Sequence, residues 1–215
     1  MAYAFNGSSQ YLQRSGLGSA GPSAWPMTMY ARSLSNTAAV SQVTVADMDS
    51  NNPWNGLLLG HANTNNFFLN RFGASGATGG GSYSTGVWYS VGGRSRTNTD
   101  YDVVGNTTVT PGSTNTAFGT LGNFLIGARL IPGISLQLNG KAACVALWNV
   151  ALDDAEMNSL YRGFSPRRIR PQSLLLYAPL VRELILPKYA NNVQPGSLSN
   201  VASATVADHP RTYGM

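Results

Sequence analysis

Few side chains in this sequence could carry out acid–base catalysis. A glycoside hydrolase needs two carboxyl groups on opposite sides of a cleft, commonly supplied by neighbouring acids of one strand. The sequence has only two glutamates, Glu156 and Glu183, and they lie far apart. Glu156 stands three residues after Asp153, the spacing of a helix capping box, so a structural role accounts for it. The sequence therefore predicts a protein without enzymatic activity.

The two histidines suggest neither catalysis nor a metal site. His61 and His209 each lack a second histidine or a cysteine at metal-binding spacing. A serine nucleophile in a Gly-x-Ser-x-Gly turn is also absent from the sequence. We interpret both histidines as solvated polar residues.

The best candidate for cation binding is the segment Asp47-Met-Asp-Ser-Asn-Asn52. Asp47, Asp49 and Asn51 place oxygen atoms at alternating positions of a predicted loop at the edge of the sandwich, and such oxygens are the ligands of calcium. The same residue types also form ordinary turns through side-chain to backbone hydrogen bonds, and both interpretations stay open. No other cofactor is expected.

Aromatic side chains could provide a stacking platform for a sugar. Trp54 follows a proline in a predicted loop, and Tyr101 is the second candidate for this carbohydrate-binding role. Trp88 lies among valines and is predicted to be part of the core.

One basic cluster contains Arg167, Arg168 and Arg170, between Pro166 and Pro171. The prolines exclude a regular helix here. The arginines could bind carboxylates of a neighbouring subunit through bidentate pairs, or form a solvated linker. Nucleic acid is not a predicted partner, because no aromatic residues alternate with the arginines.

The composition favours a protein that assembles with others. Charged residues make up 11% of the 215 residues and hydrophobic ones 43%, with a net charge of +5. Neutral polar groups are less costly to desolvate in an interface than charges, although such a surface can also simply face water. The single cysteine, Cys144, excludes an intrachain disulfide and is expected to be buried. No apolar run approaches the roughly 18 residues of a membrane span and the start lacks a signal-peptide pattern, so we expect cytoplasmic synthesis and no membrane partner.

The segment Asn139–Gly163 is the most informative part of the sequence for the fold. Asn139-Gly140 is typical of a primed hairpin turn, and a strand is predicted to follow it. In that strand Val145 and Leu147 alternate with Ala146 and Trp148, which indicates burial on both faces, with Trp148 packed in the core beside the helix that follows.

A short helix follows this strand. Asp153 and Glu156 form the predicted capping box, and Gly163 occupies the position of a left-handed helix cap. Glycine and proline divide the rest of the chain into short apolar runs, which indicates an antiparallel all-β fold. Strands are predicted at a 2–14 hairpin and at 27–34, 40–46, 56–72 (two, split at 61–66), 86–92, 101–110, 116–128 and 134–138, and a glycine-rich loop or flexible strand connection at 73–82.

The order of strand, Trp148-Asn149 and capped helix resembles the end of concanavalin A-like, laminin-G-like jelly rolls. Ala4–Leu12 resembles the first hairpin of that family. Further similar segments are Met27–Ala31, Gly86–Val91 and Phe124–Gly127. The resemblance covers about residues 2 to 163 and implies an antiparallel jelly-roll β-sandwich with one short C-terminal helix and an extended arm.

The C-terminal part has a second resemblance. Residues 163–180 and 204–211 look like the tails of jelly-roll proteins encoded in structural gene clusters of tailed bacteriophages. The family's Tyr-Trp-Pro-Leu-like motif is Tyr177-Ala-Pro-Leu180 here, without the tryptophan. The resemblance implies a virion protein made in the host cytoplasm.

Together these observations predict a jelly-roll domain over residues 1–163 and an arm over 164–215, dispensable for folding, that packs on the domain or on a neighbouring subunit. The expected function is a non-enzymatic phage structural protein, specifically a capsid decoration or cement protein whose partners are the major capsid protein, other virion proteins and copies of itself. The alternative is a carbohydrate-binding adhesion module of a tail fibre or capsid surface, with a surface glycan as its partner. The arm would supply the interface through Arg167, Arg168, Arg170, Leu174, Leu176, Leu184 and Leu186.

Overall fold

A computed structural model gives the three-dimensional structure of the chain. It describes residues 2–14, 26–37, 43–49, 56–61, 66–71, 77–97, 99–112, 123–129, 136–180, 199–201 and 205–207. In these residues, antiparallel strands form two sheets, and one α-helix, α1 (Asp154–Tyr161), lies beside them. The predicted antiparallel all-β fold is confirmed. None of the described helices is long and apolar enough to span a bilayer.

Sheet A contains eight of the described strands. Their order from one edge is β10 (Thr108–Gly112), β9 (Tyr101–Gly105), β8 (Tyr89–Ser95), β3 (Met27–Ser35), β12 (Asn139–Trp148), β1 (Ala2–Asn6) and β15 (Thr205–Ala207). The eighth strand, β13 (Leu174–Ala178), pairs with the second half of β12, end to end with β1.

Sheet B contains the other seven described strands. Their order is β14 (Ser199–Val201), β2 (Tyr11–Arg14), β11 (Asn123–Ile126), β4 (Val43–Asp49), β5 (Gly56–His61), β6 (Asn66–Arg71) and β7 (Ala77–Ser82). The predicted pair of strands in 56–72 is confirmed, and predicted strand 101–110 is in fact the hairpin of β9 and β10.

Two buried clusters result from the alternation of side chains along sheet A. Val145 and Leu147 of β12 belong to the inner cluster between the sheets, whereas Ala146 and Trp148 belong to the outer cluster beneath α1. This alternation was predicted from the sequence and is confirmed. Trp148 is completely buried, as predicted, but it lies in the outer cluster beneath α1 and not in the predicted sandwich core. Burying a large side chain of this kind contributes about 2–3 kcal/mol, which is why both faces of the strand are apolar.

A β-bulge divides β12 at Cys144. Ala143 pairs with Arg32 and Ala146 with Tyr30, so two residues of β12 lie opposite one residue of β3. Cys144 has φ of 52°, a left-handed conformation that is unusual for a residue with a side chain. Its side chain is buried, as predicted.

The predicted hairpin over residues 2–14 is wrong. β1 pairs in sheet A and β2 in sheet B, so the turn between them carries the chain from one sheet to the other. The Asn6 carboxamide oxygen accepts hydrogen bonds from the backbone N–H groups of Ser8, Ser9 and Gln10. The residues of the turn were therefore recognised, but not the long-range pairing that decides which sheet each strand joins.

The predicted Asn139-Gly140 turn is also wrong, because both residues lie inside β12. Asn139 pairs with Asn6, and Gly140 pairs with Phe5 on one side and Ser35 on the other. A Cβ atom on Gly140 would collide with the backbone of Leu34, so close approach of two strands explains this glycine. Before it, Leu136 and Leu138 lie outside regular strands, so the described part of the predicted strand 134–138 is not one.

The glycine-rich segment 73–82 includes a regular strand. Residues 77–82 form β7, while 73–76 lie outside the described residues. Gly80 has φ of 64°, and a Cβ atom there would lie 2.9 Å from the backbone nitrogen of Gly105. The Gly80 N–H donates to Thr110 Oγ1 at 2.9 Å. The glycines thus let β7, at an edge of sheet B, approach the backbone of β9 and β10 closely. The sequence predicted either a loop or a flexible strand connection for 73–82, and residues 77–82 form a strand.

Residues 164–180, which directly follow Gly163, pack on the domain itself. β13 continues sheet A, and the side chains of Leu174 and Leu176 enter the outer and inner clusters, respectively. The prediction that these two leucines would cover a neighbouring subunit is therefore wrong, because their own sandwich buries them. Leu184 and Leu186 lie outside the described residues, and a domain boundary at Gly163 stays a prediction.

Candidate functional site

A cavity of about 280 Å³ lies on the outer face of sheet A, where α1 crosses β8, β9 and β10. It opens to solvent on one side. Its walls are Arg94, Val104, Thr107, Val109, Asp154, Met157, Asn158 and Tyr161. This volume lies at the small end of the range for ligand sites and suits a single small ring.

One stripe of α1 forms the helical wall of the cavity. Asp154, Met157, Asn158 and Tyr161 follow the i, i+3, i+4, i+7 spacing that places side chains on one helix face. Met157 is buried against the sheet, whereas Asp154 is exposed at the mouth.

Local interactions determine where α1 begins and ends. Asp153 accepts from the Glu156 N–H and Glu156 accepts from the Asp153 N–H, which confirms the predicted capping box. Gly163, with φ of 93°, provides the predicted left-handed cap. The first and last residues of α1 are therefore determined by its own capping residues.

Buried hydrogen bonds attach α1 to the sheet. The Tyr30 hydroxyl donates to the Leu160 carbonyl at 3.0 Å, and the Leu152 N–H donates to Thr28 Oγ1 at 2.9 Å. Trp148 Nε1 donates to the Ile169 carbonyl at 2.7 Å. The first two hydrogen bonds attach α1 and the residues before it to β3, and the third attaches the segment after α1 to β12.

The opposite wall comes from the β9–β10 hairpin. Its two-residue turn is Asn106-Thr107, and Asn106 adopts φ of 53° as the first residue of such a turn requires. The Asn106 side chain also accepts from the Ser90 N–H, which ties the turn to β8. Thr107 and Val109 thereby stand at the cavity rim, and Val109 is 46% exposed.

Arg94 forms the charged base of the cavity. Its Nε and Nη2 atoms donate to the two carboxylate oxygens of Asp102, both at 2.8 Å. Its Nη1 donates to the Leu152 carbonyl at 3.2 Å and to Asp154 Oδ1. The Arg94 side chain is 2% exposed and that of Asp102 5% exposed, so this pair is a buried ion pair.

Arg96 extends the network toward solvent. Its guanidinium donates to Asp102 Oδ2 at 2.8 Å and to Asp100 Oδ1 at 3.0 Å. The network therefore contains two arginines and three aspartates, and its formal charge is −1.

The network affects the acidity of the groups at the cavity. The hydrogen bond and charge of Arg94 lower the pKa of Asp154 below its ordinary value, so this exposed carboxyl stays ionised. Burial would lower the pKa of Arg94, but its hydrogen bonds to Asp102 and Asp154 outweigh burial and raise it. Burial raises the pKa of Tyr161, whose hydroxyl stays protonated.

The predicted calcium ligands are only partly described. Asp47 and Asp49 lie in β4 and not in the predicted loop, opposite Leu125 and Asn123 of β11. Asn51 and the side chains of both aspartates are outside the described residues. The part of the chain that is described contains no cluster of three metal-binding side chains, and the calcium site stays a prediction.

The predicted aromatic platform is wrong for Tyr101. Its ring is 1% exposed and lies in the inner cluster, because β9 directs it between the sheets. Trp54 lies outside the described residues and remains a candidate. Trp88, which the sequence predicts to be part of the core, is only partly buried and packs against the outer cluster.

The histidine prediction is wrong for His61, which is completely buried. Its Nε2 lies 2.8 Å from Ser33 Oγ of sheet A, and its ring packs edge-on against Tyr83. Burial lowers the pKa of His61 to about 3, so the ring is neutral in the folded chain. His209 lies outside the described residues.

The predicted basic interface divides into two parts. Arg170 forms ion pairs with Glu156 of α1 and with its N-cap Asp153, so it has a role within the domain, and its predicted role at an interface stays a prediction. Arg167 and Arg168 are exposed, and their role at an interface stays a prediction.

Sequence reasoning missed the cavity residues Arg94, Asp154, Asn158 and Tyr161. A signal was present. Arg94 and Arg96 precede Asp100 and Asp102 in a chain with only 11% charged residues, and opposite charges at alternate positions of neighbouring strands indicate cross-strand pairing.

Several solved structures share this fold. A "putative carbohydrate binding protein" from Bacteroides ovatus superposes with a TM-score of 0.65 over 99% of this chain and 61% of its own, at 16% identity. A heptameric SAP-like pentraxin from Limulus polyphemus gives 0.58 over 74% of this chain and 81% of its own, at 14% identity. The CBM40 of a Ruminococcus gnavus IT-sialidase, solved with α2,3-sialyllactose, gives 0.52 over 66% and 84%, at 10% identity.

These similarities confirm the predicted antiparallel jelly-roll β-sandwich. At such identities they establish the fold alone. No protein-family model and no curated protein sequence matches the chain.

Proposed function

We propose that this chain is a non-enzymatic carbohydrate-binding module. The observation that carries the proposal is the likeness of 99% of the chain to the Bacteroides ovatus protein, whose description names carbohydrate binding. The likeness to the sialyllactose-bound CBM40 supports the same class of ligand. The alternative predicted from the sequence is thus favoured over the capsid cement protein.

The chemistry of the cavity supports the same proposal. A sugar ring carries hydroxyl groups along its edge and C–H groups on its faces, so its site needs hydrogen-bonding and apolar walls together. Asp154 and Asn158 offer oxygen and amide groups on one helix face. Tyr161 and Val109 offer apolar surface on either side of them.

The state of the carboxylates favours binding over hydrolysis. Glycoside hydrolysis needs one carboxyl group that is protonated and can donate to the leaving oxygen. Asp102 and Asp154 are both bound to Arg94, and Arg94 lowers the pKa of Asp154. A carboxyl held in the ionised form is a hydrogen-bond acceptor for hydroxyl groups and not a general acid.

The location of the module on a phage tail fibre or capsid surface rests on the sequence resemblance of residues 163–180 and 204–211. It stays a prediction, as do the virion partners, self-association and synthesis in a host cytoplasm. The hypothesis that a free C-terminal arm binds neighbouring capsid subunits is less well supported, because Leu174 and Leu176 are buried in their own domain.

The test is direct binding of the whole chain to an immobilised glycan panel, followed by calorimetry with the best ligand. Asn158→Ala should weaken binding about fivefold to tenfold, the effect of one lost hydrogen bond. Asn149→Ala is the matched control, since Asn149 is exposed and outside the cavity. Absence of binding to every glycan, or release of reducing sugars from any of them, would contradict the proposal.

A further inference from the structure

The arginine at the base of the cavity is already occupied. A guanidinium has five N–H donors, and Arg94 uses four of them on Asp102, Asp154 and the Leu152 carbonyl. Proteins commonly recognise carboxylate and phosphate groups through two parallel N–H donors of an arginine. Arg94 makes that bidentate contact with Asp102, so it has no such pair of donors left for a ligand.

Releasing Arg94 for a ligand would be costly. Its partner Asp102 is 5% exposed, and the loss of Arg94 would leave that buried carboxylate with Arg96 as its cationic contact. The guanidinium therefore acts as an internal crosslink between β8, β9 and the start of α1. It positions Asp154 and does not itself bind a ligand.

The charge that the cavity presents to solvent is negative. Asp154 is 83% exposed in its side chain, whereas the arginine beneath it is buried. Because Arg94 lowers the pKa of Asp154, this negative charge persists at neutral and mildly acidic pH. An anionic ligand would approach a carboxylate first and would find the compensating cation covered.

The remaining polar groups suit hydroxyl groups. A carboxylate accepts hydrogen bonds only, whereas the Asn158 amide both donates and accepts. Asp154 and Asn158 are four residues apart on α1, hence adjacent on one helix face. Two neighbouring hydroxyl groups of a sugar could bind to the pair, one donating to Asp154 and the other exchanging hydrogen bonds with Asn158.

We infer that the cavity selects an uncharged sugar with adjacent hydroxyl groups and rejects sugars that carry a carboxylate, sulfate or phosphate. This inference rests on the proposed function and specifies its ligand class. The selecting residue is Asp154, held in place and kept ionised by Arg94.

The experiment uses the whole chain and matched pairs of glycans, lactose with α2,3-sialyllactose and a neutral disaccharide with its sulfated form, at low and at physiological salt. The neutral member should bind more tightly in each pair, and the difference should shrink as salt rises. Asp154→Asn keeps an oxygen for Arg94 and removes the charge. The Asp154→Asn variant should reduce the ratio of affinities for the neutral and the anionic glycan by about fivefold, which is the effect of one unit charge near the ligand in water.

Asp100→Asn is the matched control, because it removes an exposed carboxylate of the same network outside the cavity. It should leave the preference unchanged. Tighter binding of the anionic members would overturn the inference while leaving the proposed function intact. An Asp154→Asn variant with the parent's preference, or an equal effect of Asp100→Asn, would also overturn it. No binding to either member of any pair, or to the wider panel, would contradict the proposed function itself.

Discussion

Sheet A packs on both faces, and the two interfaces differ in composition. The inner cluster consists of aliphatic and aromatic side chains from two sheets, with His61 and Ser33 forming a hydrogen bond across it. The outer face combines an apolar part around Trp148 with the charged network of Arg94. The inner interface depends on shape and on a neutral imidazole, whereas the outer one depends on ion pairs that also shape the cavity. Both faces therefore stabilise the fold, and the candidate cavity lies on the outer one.

The largest effect on stability is expected from truncation after Gly163, because it removes β13 from the packing on both the inner and the outer face of sheet A. Leu174 leaves the outer cluster and Leu176 the inner one, and each buried leucine contributes about 2–5 kcal/mol. We expect the truncated chain to lose cooperative thermal unfolding, since the total stability of a domain is about 5–15 kcal/mol. Truncation after Leu180 keeps β13 and should preserve a cooperative transition. A folded monomer ending at Gly163 would restore the domain boundary predicted from the sequence.

Trp148→Ala should be the most damaging single substitution on the outer face. The ring is completely buried and its Nε1 donates to Ile169, so we expect a loss of about 3–5 kcal/mol. Val145→Ala, its inner-face counterpart, should cost about 2 kcal/mol. Denaturant unfolding of both variants measures the difference. Equal losses would show that the two faces are less distinct than their composition indicates.

Arg94→Met tests whether the charged part of the outer face contributes to stability. It leaves the Asp102 carboxylate buried with only Arg96 as its cationic partner, and we expect a loss of about 3 kcal/mol in the free energy of unfolding. Arg96→Met removes a more exposed cation and should cost about 1 kcal/mol or less. The comparison requires equal salt and pH above 6. Similar losses for the two variants would contradict the structural role of Arg94.

The inner face should show a pH dependence that originates from His61. Its folded pKa of about 3 lies below the ordinary value, so the unfolded chain binds a proton that the folded chain does not. This contribution to stability is complete above about pH 6.5 and falls as the pH decreases toward 3, by about 3 kcal/mol at pH 4. His61→Met should remove this part of the pH dependence. If both chains lose stability in parallel below pH 6.5, other groups are responsible.

The sequence predicted those features whose signals are local. Asp153, Glu156 and Gly163 define a helix through contacts within a few residues, and the alternation from Val145 to Trp148 reflects burial on both faces. The sequence-based predictions were wrong where pairing with strands distant in the sequence determines the local conformation. Asn139-Gly140 has the composition of a turn, but it lies in a strand because β1 and β3 pair with it on both sides.

The candidate site was harder to predict than the fold. Arg94, Asp102 and Asp154 come from three separate elements, and the sequence offered no measure of which charges would be buried together. The sequence shows that Tyr101 is aromatic and so favours it as a ligand-binding ring, but the face of the strand on which it lies depends on register, which the sequence does not show.

The bulge at Cys144 determines which face of sheet A each later residue of β12 occupies. The number of residues in β12 is therefore more important for the packing of this strand than the identity of the bulged residue. Before it, Ala142 faces the inner cluster; after it, Val145 and Leu147 do. Deletion of one residue here would exchange the two faces downstream and place the Trp148 indole between the sheets. Substitution at Cys144 needs a residue that fits its buried position and can adopt φ near 52°, whereas a single-residue insertion or deletion would invert half of the strand. Sequence alignments across this strand should therefore be anchored on which face each residue occupies, even where that lowers the apparent identity.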